Sequence, residues 1–138
     1  MKSRFAAGLA GLSTLLVGTP TVADTGGSYT LSLVVPIDCR LQHSAEGAGI
    51  MSGDAFALGE INEYCNNPAG YEIVVNYTPG TLQGAVLSAG EDRVVLNGSG
   101  EAVLSRAPGP RIRERMLTAT PGHNGFDTNQ LDLRIQPV

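Results

Sequence analysis

Cys65-Asn66-Asn67-Pro68-Ala69-Gly70-Tyr71-Glu72-Ile73-Val74-Val75-Asn76-Tyr77 sets a cysteine, a turn and a strand in immediate succession. The last seven residues have the aromatic and β-branched content that suits a pleated, half-buried surface, and Pro79-Gly80 stops them. Shorter runs of the same kind flank this one. Residues 55–58, 61–65, 85–87, 93–96 and 102–105 read as strands, with turn residues at Gly90 and across 97–100. Asn97-Gly98 looks like a hairpin turn, because both residues tolerate positive φ. Arg111–Thr120 reads as a further strand or, from Glu114, as the start of a helical turn. The chain closes on residues 131–138, with Leu131, Leu133 and Ile135 on one face. No stretch has helical periodicity, so the expectation is an all-β sandwich.

Ahead of Cys65, residues 29–35 (Tyr-Thr-Leu-Ser-Leu-Val-Val) alternate apolar with small polar residues, as a half-buried strand does. Pro36 interrupts the pattern and residues 37–41 continue it through Cys39, whereas the Gly-, Ala- and Ser-rich residues 42–54 read as a connection. Residues 1–23 have the layout of a secretory signal. Lys2 and Arg4 precede a 13-residue apolar stretch, and Thr21-Val22-Ala23 offers a small-residue cleavage site. The apolar stretch is short for a membrane span, so an exported chain without one is expected.

Loss of Lys2 and Arg4 with the signal takes the net charge from −4 to −6 and leaves only arginines as cations. So acidic a chain is a poor partner for nucleic acid, which needs phosphate neutralisation. Three Phe, four Tyr and no Trp make a thin core that calls for a covalent staple. Cys39 and Cys65 are the only cysteines. Read as a pair, they close a loop worth about 3.5 kcal/mol in the chain-entropy account. Metal binding is the weaker reading, since no Cys-x-x-Cys is present and His43 and His123 stand alone in expected loops; an intermolecular bridge is the third.

No cofactor is expected, and no catalytic motif stands out. Glu91-Asp92 and the Glu60/Glu63 pair sit beside expected turns, where acidic residues serve solubility. Arg106, Arg111, Arg113 and Arg115 form the only basic cluster. On a strand the last three share a face, which reads as a solvated edge or as a site for an acidic glycan or a neighbouring subunit.

Val35-Pro36-Ile37-Asp38-Cys39, Leu58-Gly59, and Cys65-Asn66-Asn67-Pro68-Ala69-Gly70-Tyr71 leading into a strand together resemble chaperone–usher pilin subunits. The likeness is to the archaic branch and its relatives with a spore-coat-protein-U-like domain. It implies an immunoglobulin-like sandwich over residues 37–138 that lacks its final strand, preceded by a donor segment at 24–36. It further implies a periplasmic chaperone, an outer-membrane usher and neighbouring pilin subunits as partners, with passage through the periplasm to a surface fibre or coat. Carried onto this sequence, Tyr29, Leu31, Leu33 and Val35 would be donated, and the acceptor edge would include Leu131, Leu133 and Ile135. The same N-terminal stretch reads equally well as a strand of its own sandwich. In that case the chain would be a self-contained secreted module that binds carbohydrate or protein.

Overall fold

The computed structural model describes residues 26–138, so the signal expected at 1–23 and the first two residues of the 24–36 segment lie outside it. Nine strands follow in order: β1 (Cys39–Ser44), β2 (Met51–Ser52), β3 (Ala55–Cys65), β4 (Tyr71–Tyr77), β5 (Val86–Ala89), β6 (Asp92–Val95), β7 (Glu101–Ala107), β8 (Arg111–Thr120) and β9 (Leu131–Pro137). A single 3₁₀ turn, Thr128–Gln130, leads into β9. One antiparallel sheet has the order β1-β3-β8-β5-β6, with β2 also on β3; the other has the order β7-β4-β9.

The inward faces of the two sheets meet in one core. Ile61, Leu87, Leu117 and Ala119 from the larger sheet are buried against Tyr71, Ile73, Val75 and Leu104 from the smaller. The chain is therefore a β-sandwich. Cys39 and Cys65 are bonded to each other and sit directly opposite in the β1–β3 ladder, so the staple fastens an edge strand to its neighbour.

Several expectations need correction. Residues 55–58 and 61–65 are one strand, because a bulge between Ala57 and Gly59 absorbs the slip in alternation. Gly59 has φ +109°, and a Cβ there would stand 2.1 Å from the Ser44 carbonyl oxygen, so only glycine permits β1 to lie against the bulge. The 42–54 connection contains β2, which pairs back onto β3 through the two-residue turn Gly53-Asp54. Asn97-Gly98 is not a hairpin turn, since β6 and β7 belong to different sheets. Asn97 instead closes a local Asx turn, its Oδ1 accepting from the Ser99 amide and from the Tyr77 hydroxyl. The hairpin lies one connection earlier, where Ala89 pairs with Asp92 across Gly90-Glu91.

The expected strand at 29–35 is absent: residues 26–38 carry no strand. A strand needs a ladder, and in this stretch Tyr29, Leu31, Leu33 and Val35 are 96, 92, 78 and 65 % exposed.

Candidate functional site

Two edge strands, β1 and β9, flank one side of the sandwich. Among the described residues β1 and β9 do not pair with each other. The first pairs with β2's neighbour β3, and the second with β4. Each therefore turns backbone N–H and C=O groups outward to no strand. Between the two edges runs a groove of about 310 Å³ lined by Leu41 and His43 of β1, Leu131 and Leu133 of β9, and Leu58, Ile61 and Leu117 of the sheet beneath. It shares His43, Leu58 and Thr128 with a wider hollow of about 580 Å³, walled by Phe56, Ala57, Pro121 and Phe126. The hollow is mainly apolar, whereas the groove is mixed, with Thr128 and Asp132 among its leucines, and main chain without a strand partner borders it.

The structure places Leu131, Leu133 and Ile135 as the sequence spacing places them, on one face of β9 and packed against the core. His43 is not in a loop. It lies on β1, with Nε2 2.7 Å from the Leu58 carbonyl, a contact that steadies the bulge. Leu41 and Phe56 were not singled out from sequence, and Leu58 entered only through the Leu58-Gly59 resemblance. For Leu41 the signal was present, because it alternates in phase with Cys39.

At one end of the groove, two asparagines tie down both borders. The Asn66 amide group accepts from the Asp38 N–H at 2.7 Å and donates to the Pro36 carbonyl at 2.9 Å, beside the start of β1. Buried Asn67 donates to Gly70 O at 2.8 Å and to Val138 O at 3.0 Å, just beyond β9. Gly70, with φ +99°, must be glycine, since a Cβ would come within 1.9 Å of the Ala107 carbonyl oxygen. The turn quoted at the outset is thus a fastening point for the groove's two sides.

The arginine cluster is not a solvated edge. Arg113 and Arg115 point between the sheets toward Glu63, whose side chain is fully buried. Arg113 Nη2 donates to Glu63 Oε2 at 2.9 Å, and Tyr71 donates its hydroxyl to the same oxygen at 2.7 Å. Arg115 bonds Glu63 Oε1 through Nε and Nη2, and reaches Asp92 Oδ2 at 2.6 Å, Ala89 O at 2.8 Å and Ser105 Oγ at 2.9 Å. Two cations thereby meet two anions. Burial, then the bond to the carboxylate, push the Tyr71 hydroxyl above its ordinary range. Burial opposes the charge on Arg113, but its bonds to Glu63 outweigh that and hold it raised. Every polar group named here is engaged within the network. Arg106 pairs with Glu72 and Arg111 is exposed, so the four arginines do not form one site.

Glu60 and Glu63, read together as a carboxylate pair, are three residues apart and part company. Glu60 meets Glu114, and their shared hydrogen bond, followed by burial and the charges of Glu114 and Glu46, raises the Glu60 carboxyl. A raised carboxyl favours the fold at acid pH, and that contribution disappears as pH rises through its folded value. Glu114→Gln should therefore melt higher than the parent near pH 7, with the gap closing toward about pH 4. A constant gap across that interval would exclude the shared proton.

Among the described residues no group of three or more His, Cys, Asp or Glu could hold a metal ion, and no helix is long and apolar enough to cross a membrane. No family model, curated protein or solved structure matches the chain.

Proposed function

We propose that this protein is a structural subunit of a surface fibre or coat, assembled by strand donation within an immunoglobulin-like fold. Residues 28–35 of one copy complete the sandwich of the next. What carries the reading is the presence, in one chain, of a leucine-lined groove between two unpaired edges and of an alternating apolar stretch with no ladder of its own. Added strands gain affinity from main-chain hydrogen bonds and specificity from alternate side chains in pockets. Tyr29, Leu31, Leu33 and Val35 supply the side chains, and β1 and β9, with Leu131, Leu133 and Ile135, supply the borders. The disulfide, the acidic charge and the expected signal suit export through the periplasm, where a chaperone would cover the groove before an usher passes the subunit on.

Thermal unfolding of residues 37–138, disulfide intact, with a peptide of residues 24–36 tests this. At a hundred times Kd the peptide should add about 2.7 kcal/mol, a Tm rise on the order of 10 °C. A domain that folds well and does not respond would overturn strand donation and favour a self-contained binding module.

A further inference from the structure

If subunits are joined by strand donation, as proposed above, each must also avoid filling its groove with its own arm. We propose that Asn66 sets this choice, by holding residues 36–38 in extension and so denying the arm the reversal that self-insertion needs.

The arm has two ways into its own groove. Lying parallel to β1 would require a crossover of about a dozen residues or more. Only residues 36–38 separate Val35 from Cys39. Lying antiparallel to β1 requires a hairpin turn within the same short stretch. That is where Asn66 acts. Its side chain takes the Asp38 N–H and the Pro36 C=O, and its own N–H donates to Asp38 O at 3.2 Å. These three bonds tie the residues just upstream of the disulfide to Asn66, next to the Cys39–Cys65 pair where the β1–β3 ladder begins. Arg40 holds Asp38 from the other side, Nε to Oδ1 at 3.0 Å.

A chain extended through Asp38 can turn only farther upstream. The next residues are Val34 and Val35, β-branched and unsuited to the positive φ of two-residue hairpin turns. Gly26 and Gly27 could turn, but they precede the whole apolar run. Without the clamp, Pro36-Ile37-Asp38 becomes available as a three-residue loop, a type I turn with proline at its favoured first central position followed by Asp38, whose residue type tolerates the left-handed conformation.

The test compares the full mature chain with Asn66→Ala, using light scattering for size and hydrogen exchange across residues 28–35. The parent is expected as polymers. The variant is expected to raise the fraction of monomer with a protected arm about tenfold, the shift that two part-exposed hydrogen bonds supply. The double variant Val34→Asn with Val35→Gly leaves Asn66 in place but installs a hairpin turn, and should yield the same protected monomer. It decides the matter if the first variant does not fold. An Asn66→Ala chain with the parent's monomer fraction, or a monomer with an unprotected arm, overturns the role of Asn66 and leaves strand donation standing. A parent that is itself a monomer with a protected arm overturns both.

Discussion

Replacing Glu63 with alanine is expected to destabilise the domain by about 3–5 kcal/mol, the loss typical when one member of a buried charge network is removed. Arg115 and Arg113 retain only 9 and 19 % side-chain exposure and would keep their charges without the carboxylate they surround. The Tyr71 hydroxyl would lose its acceptor in the same stroke. Against a total stability of roughly 5–15 kcal/mol, such a loss leaves little reserve. Urea unfolding followed by circular dichroism measures it, and a change below about 1 kcal/mol would mean that water reaches the arginines freely. Replacing Glu63, Arg113 and Arg115 together by leucine or methionine should recover most of the loss, because the one charge of the network left without its partners, Asp92, has a side chain 40 % exposed to water. What the ionic version adds is register. Glu63 is directly opposite Arg113 in the β3–β8 ladder, and a one-residue slip would turn the arginines out and strand the carboxylate.

Removing the bridge with Cys39→Ser and Cys65→Ser should lower stability by about 3.5 kcal/mol if the chain-entropy account holds, within the general range of roughly 2–5. The effect should also be local. β1 is an edge strand held by β3 alone, so its amides should exchange faster while those of β4, between two strands, stay protected. Loss of protection spread evenly over both sheets would show that the disulfide acts only through the unfolded chain. Because β1 borders the groove, the variant should also respond less to the peptide of residues 24–36.

Arg111–Thr120, which holds no aromatic residue, left strand and helical turn open, whereas the strand at Tyr71–Tyr77 and the shorter runs at 93–96 and 102–105 were legible from their apolar and β-branched content between turn residues. The sandwich followed from them. β3 was harder. Alternation places Phe56 and Leu58 in one phase and Ile61 and Cys65 in the other, which mimics a break between strands unless Gly59 is read as a bulge. Residues 29–35 show the opposite failure. Their pattern is that of a strand, but pattern states only which side chains want burial and not which chain supplies the partner. The interior charges were misread by the default that arginine and glutamate face water. The contrary signal was there, since Arg113 and Arg115 keep phase with Leu117 and Ala119, and Glu63 with Ile61 and Cys65. Of the candidate site, the β9 face was readable from spacing. The β1 side and the asparagine fastenings depend on which strands become neighbours, and one sequence does not say that.

The bulge at Gly59 divides β3 into two lengths with independent phase. The length before it turns Phe56 and Leu58 to the groove and its adjoining hollow, and the length after it turns Ile61 to the core and the groove floor and Glu63 to the charge network. Substitutions at 56 and 58 can therefore reshape what the groove accepts while the interior that sets register stays as it is. One strand thus serves two surfaces, and the groove can be altered without disturbing the charge network that sets register.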